Sequence, residues 1–282
     1  MSRKDRFAEE EKRLAAEMER KQSSNFDKVK IESLPKFDDG EERVLRILPT
    51  KEYMQWLLTA KDGEVFDEDA FPYAEKWVHF KVGKSGAVFA CLSKHNNEPC
   101  PICEERTKLY GTGDEDDKKE ADDMKIANQF EFLVCWRGHE DQPYRWTISP
   151  QWANMVVSLF ANKDYNDLDD PEEGHDIKVK RTGKGYNDTK YVINPRPKPC
   201  PLFEGDDGDL DMEKMRAWVA LIPEISESAK PFMTYEEGEA LLMGASIGDV
   251  MKARAKENGT DFEPKELEKE EPEAPRRSSR RR

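Results

Sequence analysis

The sequence predicts a mainly β protein with added helices, in which a small barrel core carries a compact Cys/His subdomain between flexible ends. Three features predict it. Five or six short runs are rich in β-branched and aromatic residues, three cysteines cluster with two histidines, and both ends are strongly charged. A chain of 282 residues, 38% charged and 36% hydrophobic, suits one core with solvated extensions. The expected division is an N-terminal arm over 1–34, a core over 35–245 with the Cys/His subdomain at about 72–111, and a C-terminal tail over 246–282. No apolar run of about 18 residues is present, so no membrane partner is expected.

In the arm, Lys4 to Lys21 lacks Gly and Pro and pairs Glu9 with Arg13 and Glu17 with Lys21 at helical spacing. Its apolar positions, Phe7, Leu14 and Met18, make only a thin stripe, so this surface helix is not stable alone and is read either as docking on a neighbouring copy of the chain or as a solvated extension. The core begins with a strand at Glu42 to Leu48, stopped by Pro49. Trp77 to Val82 and Ala87 to Cys91 read as a hairpin about Gly83-Lys-Ser-Gly86, and Glu104 to Tyr110 as a short helix stopped by Gly111. The acidic stretch Asp114 to Asp123 reads as a loop. Asn128 to Trp136 and Tyr144 to Ile148 read as paired strands, and Gln151 to Ala161 as an apolar helix. Asp176 to Lys180 and Thr189 to Ile193 are two more strands. Met212 to Leu221 and Tyr235 to Met243 are helices, the second opened by a Thr234/Glu237 capping box. Short strands with one intervening helix suit an oligonucleotide-binding (OB) barrel.

Cys100 and Cys103 have the spacing of a metal knuckle, and Cys91 supplies a third thiolate. One nitrogen donor would complete a tetrahedral shell for a single structural zinc ion. The hairpin brings His79 nearly opposite Cys91 and gives it the better geometric case; His95 is the second choice. Pro99 and Pro101 stiffen the knuckle. Five cysteines, an odd number, and no apolar signal segment argue against a secreted disulfide framework. A shell filled by protein donors leaves no open position for catalysis.

The net charge of -14 argues against nucleic acid only until its distribution is read. Four segments, 114–123, 164–176, 204–213 and 257–273, hold 28 of the 60 acidic residues. Ile177 to Lys198 instead holds Lys178, Lys180, Arg181, Lys184, Lys190, Arg196 and Lys198 against Asp188 alone. Strand alternation places Lys178 and Lys180 on one face and Ile177 and Val179 on the other. Tyr186, on a Gly-Lys-Gly loop, and Tyr191 add flat rings on which unstacked bases can lie. Tyr144, Arg145 and Trp136 on the neighbouring strands complete the candidate DNA contacts, although Trp136, Trp146 and Trp152 also suit a core.

No enzyme signature survives. Gly83-Lys-Ser85 lacks the upstream glycine of a phosphate-binding loop, since position 78 is Val, and no His-Glu-x-x-His or deaminase pattern is present. A nuclease or deaminase stabilised by zinc, and a zinc adaptor that binds only proteins, are the rival classes.

Val44-Leu-Arg-Ile-Leu-Pro-Thr50, His79, Cys91, His95, Cys100-Pro-Ile-Cys103, Phe132-Leu-Val134, Tyr144 and Tyr186-Asn-Asp-Thr-Lys-Tyr191 occur in an order that resembles the T4-type bacteriophage single-stranded DNA-binding proteins, over roughly residues 40 to 245. The resemblance implies an OB barrel with a zinc subdomain and zinc held by His79, Cys91, Cys100 and Cys103. It also implies a basic arm for cooperative self-association along DNA and an acidic tail that recruits replication, recombination and repair proteins in the cytoplasm of an infected bacterium. Arg20-Lys-Gln-Ser-Ser24 is the nearest echo of the arm motif, interrupted by Gln22, and the tail departs by ending in Arg276-Arg-Ser-Ser-Arg-Arg-Arg282.

Overall fold

The computed structural model describes residues 31–60, 64, 66, 71–165, 168–185, 188–225 and 233–257. The expected arm helix at Lys4–Lys21, the ring of Tyr186 and the charged tail beyond residue 257 lie outside the described residues. In chain order the strands are β1 (Glu32–Ser33), β2 (Glu42–Ile47), β3 (Tyr73–Val82), β4 (Ala87–Ala90), β5 (Ile126–Trp136), β6 (Tyr144–Ile148), β7 (Ile177–Thr182) and β8 (Lys190–Pro195). The helices are α1 (Lys51–Leu57), α2 (Leu92–His95), α3 (Pro101–Thr112), α4 (Glu115–Asp123), α5 (Pro150–Phe160), α6 (Met212–Leu221), α7 (Tyr235–Leu242) and α8 (Ile247–Glu257). This is a mixed helix and sheet architecture. The sheet of eight strands runs β1-β6-β5-β2-β7-β8, and β3 pairs with β5 and β4. Two compact units divide the chain, residues 1–78 with 127–232 and residues 79–126 with 233–282.

In the first unit, register decides which side chains meet. Leu45 lies opposite Ile177 on β7 and Trp136 on β5, Phe132 opposite Trp146 on β6, and Val179 opposite Ile193 on β8. These positions share one face and fuse into a core with Ile47, Val134, Tyr144, Ile148 and, from α5, Ala153 and Val156. Burying each large apolar side chain contributes about 1.5–3 kcal/mol. On the opposite face Leu48, Leu133 and Cys135 are covered by Met54 of α1 and by Met215, Trp218 and Val219 of α6. Side-chain caps start both helices: Thr50 accepts from the Tyr53 amide at 3.2 Å, and Asp211 accepts from Glu213 and Lys214 at 3.0 Å.

Arg46, fully buried on β2, is held by the carbonyls of Leu168 and Cys200. Asp176, 1% exposed, answers this charge from 3.5 Å and also meets Arg137 at 2.8 Å and Arg196 at 3.6 Å. One carboxylate thus meets three guanidinium groups, with Glu140 adding a second negative charge beside Arg137 at 3.3 Å, and ties the start of β7 to β2 and to the end of β5.

In the second unit the acidic stretch expected as a loop is a helix. Asp114 caps α4 by accepting from the amides of Asp116 and Asp117, and acids in the first turn favour the helix dipole. Ala121, fully buried, and Met124 give it an apolar anchor. Helix α3 begins at Pro101, earlier than expected, because proline fits the first helical position. Helix α8 occupies 247–257, where composition placed the start of the tail. The α7 capping box of Thr234 with Glu237 is formed on both sides.

Replacing Asp176 with Asn strands buried positive charge, so urea unfolding should give a loss of about 3–5 kcal/mol. The same substitution at exposed Asp188 should cost far less.

Candidate metal centre and cationic strand face

Four side chains from separate pieces of the second unit converge. His79 comes from β3, Cys91 from the residue that follows β4, Cys100 from the N-cap of α3, and Cys103 from its first turn. Their donor atoms all lie within 4.8 Å of one another and can hold a metal ion. The His79 Nε2 lies 3.6 Å from the Cys100 sulfur and 3.5 Å from that of Cys103, and the sulfurs of Cys91 and Cys103 are 3.7 Å apart. His79 and Cys91 are fully buried and Cys100 is 2% exposed. The His79 Nδ1 lies 2.8 Å from the Met124 carbonyl. Donation from Nδ1–H to that carbonyl orients the ring so that Nε2 faces the sulfurs, where it offers a lone pair once its proton is lost. His95, the second choice from sequence, ends α2 and is not in the cluster.

Local chemistry explains why these donors meet. The Gly83 turn, with φ of +60°, closes the hairpin between His79 and Cys91. Helical spacing within α3 brings Cys103 back over Cys100. Electrostatically the donors are coupled. Burial opposes protonation of His79, but the Cys100 and Cys91 sulfurs outweigh it and push its pKa up to about 9. Hydrogen bonds from Cys103 and Cys91, opposed by burial, hold the Cys100 thiol well below its usual range. Three thiolates, two of them buried and that of Cys103 half-buried, would carry a charge too costly to bury without a cation, so the donor set has the chemistry of a closed metal shell.

The candidate DNA-contacting residues divide between the two faces of the β7–β8 hairpin. Lys180 lies opposite Val192, Lys178 opposite Asn194, and Lys190 opposite Thr182, which puts Lys178, Lys180 and Lys190 on one exposed face. Val192 sits among them at 47% exposure, and Glu42 offsets one charge by pairing with Lys178 at 2.9 Å. Lys184 is exposed at the hairpin end, where the Asp188 carboxylate accepts from the Lys184 and Gly185 amides.

Arg181 and Tyr191 point the other way. Arg181 donates to the Phe37 carbonyl at 3.1 Å and the Thr189 hydroxyl at 3.0 Å. Tyr191, half-buried, packs edge-on against Phe37 and Trp152 at 5.9 and 5.2 Å. Tyr144 is buried in the core. The half-buried Trp136 ring already carries Arg43 at 4.4 Å and His139 at 3.8 Å. Arg145 on β6 lies 3.9 Å from buried Glu131, to which Lys76 of β3 also binds. Sequence reading missed Met124 and Val192: one acts through its backbone carbonyl, and the other reads as a core valine. Strand parity alone could have placed Val192 outward, since Ile193 is inward.

No protein-family model matches this chain, and no characterised protein matches its sequence.

Removing one donor should empty the site: Cys100→Ala should lower bound metal per chain and the melting temperature together, measured by mass spectrometry of metals and calorimetry. His79→Ala should do the same, whereas His95→Ala should do much less. Protons compete for these donors, and His79 binds its proton up to about pH 9. Metal affinity, followed by competition with a chelator, should therefore rise with pH through that range and fall as acid is added.

Proposed function

We propose that this chain is a non-catalytic, zinc-stabilised protein that coats single-stranded DNA without regard to sequence, as do the phage proteins it resembles. In this reading the sheet around the first-unit core is an OB barrel, and the outer face of its β7–β8 hairpin follows the phosphate backbone. The observation that carries the reading is the segregation of charge: Lys178, Lys180, Lys190 and Lys184 are exposed while the alternate residues of the same strands are in the core. An acidic protein that gathers cations on one hairpin offers phosphate a local site despite its net charge.

Zinc fits the other site. An ion about 2.3 Å from sulfur and about 2.0 Å from an imidazole nitrogen, in tetrahedral geometry, needs donor separations of about 3.5–3.8 Å. Three of the six donor separations, at 3.5, 3.6 and 3.7 Å, fall in that span, and all six are within 4.8 Å. His79, Cys91, Cys100 and Cys103 would hold one structural zinc ion and leave no coordination position for substrate, which favours a binding protein over a nuclease or deaminase.

Affinity in this reading comes chiefly from phosphate contact, with Tyr186 as the candidate ring for base stacking. Tyr191, Tyr144 and Trp136 serve the core that displays the lysines. Preferential binding to single strands shifts the duplex equilibrium by mass action, so no fuel is required. By the same resemblance, the arm would mediate association between copies along DNA, and the acidic tail would recruit replication, recombination and repair proteins in an infected bacterium.

Titrating a short labelled single strand at several salt concentrations tests this. The log-log slope should be about -0.7 per phosphate contacted, and Lys180→Ala or Lys190→Ala should reduce it by about that amount. Binding that is absent at every salt concentration would leave a protein-only adaptor, and cleavage or base conversion of the strand would leave an enzyme.

A further inference from the structure

Helix α7 contributes no metal donor, yet it is seated on both halves of the donor set. At Gly238 an added Cβ would lie 2.6 Å from the ring of Pro101 and 2.9 Å from Phe89. Pro101 stands between two donors, Cys100 and Cys103, and Phe89 lies on the strand that leads to Cys91. At the far end of α7 the Leu241 carbonyl sits over the hairpin turn, where a Cβ on Gly83 would come within 1.9 Å of it. That turn joins the strands that present His79 and Cys91. Tyr235 adds a hydrogen bond of 2.8 Å to Glu104, the residue after Cys103. Met233, Leu241 and Val250 are buried at 4%, 0% and 4% exposure, and Arg254 of α8 reaches back to Glu237 of α7 at 2.7 Å. Helix α8 is thereby fastened to α7, and the charged stretch 258–282 follows it directly in sequence.

We infer that the metal centre is the clasp that tethers the C-terminal helices, so that loss of the metal releases residues 233–257 and with them the attachment of the charged tail. The inference rests on the metal-binding part of the proposed function and is independent of DNA binding. The seat for α7 consists of the backbone of the Gly83 turn and the rings of Pro101 and Phe89, all approached closely, so it exists only while hairpin and knuckle keep their relative positions. A metal ion bonded to donors from both pieces fixes those positions. Two processes that require the same arrangement favour each other, and the coupling is reciprocal: what the metal does for α7, α7 must do for the metal. Chelation, which takes the ion, would therefore act as a switch on the tail, and so would a peroxide: two thiolates join in an S–S bond, giving two electrons to the peroxide, whose O–O bond breaks to leave two hydroxides, and the disulfide no longer holds the ion.

The test uses the full-length chain, with metal content measured on every preparation. Hydrogen exchange is followed for peptides from 79–126 and 233–257 before and after dialysis against a chelator. The rate of metal transfer to a chromophoric chelator is then compared for the unaltered chain, Gly238→Ala and Tyr235→Phe. The expected result is that chelation exposes 233–257 together with 79–126. Gly238→Ala, which keeps all four donors, should release metal on the order of tenfold faster, and the milder Tyr235→Phe should do so on the order of threefold faster. Protection of 233–257 that survives chelation, or release from Gly238→Ala at the unaltered rate, would overturn the inference while leaving the metal centre standing. Preparations that hold no metal would overturn both.

Discussion

The convergence of His79, Cys91, Cys100 and Cys103 is the constraint on which the second unit depends. That unit is small and heavily charged, and α4 alone carries three acidic residues in its first turn. Its apolar interior, drawn from Val82, Phe89, Leu92, Ile102 and Leu241, is modest. A unit of this kind gains little from hydrophobic burial and is the sort that a structural metal completes. Four bonds between one ion and donors from a strand, a strand end and a helix turn would supply what the core lacks. The Met124 carbonyl on His79 shows that the chain reaches beyond the donors to orient them.

The first unit solves a different problem. Its core is ample, and its difficulty is charge: Arg43 and Arg46 on β2 and Asp176 at the start of β7 are buried. Arg43 is satisfied locally, by Glu41, by the carbonyls of Pro35 and Lys36 and by the rings of Phe37 and Trp136. Arg46 depends on Asp176 and on carbonyls brought from distant segments. Lys178, Lys180 and Lys190 of β7 and β8 take no part in these internal pairs and are exposed. On β7, strand parity alone sends Lys178 and Lys180 outward and Ile177 and Val179 into the core, whereas Arg43 and Arg46, of opposite parity on β2, are both buried by virtue of their partners.

Much of this was legible in the chain. The spacing of Cys91, Cys100 and Cys103, with His79 across a Gly-flanked turn, pointed to the cluster because a hairpin and a knuckle have few ways to close. Alternation in 177–182 was enough to separate Lys178 and Lys180 from Ile177 and Val179. Carried two residues further, the same parity would have placed Arg181 and Tyr191 inward, apart from the lysines. The helix at 115–123 was not legible, because its apolar signal is a single alanine with Met124 just beyond it, and its stability comes from the Asp114 cap and the dipole. Nor was the seat of α7 legible: Gly238 within a helical run reads as a weakness, and only its contact with Pro101 and Phe89 explains it.

X-ray absorption at the zinc edge on the purified, full-length chain examines the clasp itself. The account predicts one metal per chain with a first shell of three sulfurs and one nitrogen and no exchangeable oxygen. A shell dominated by oxygen, or a chain that retains no stoichiometric metal while keeping its fold, would contradict it.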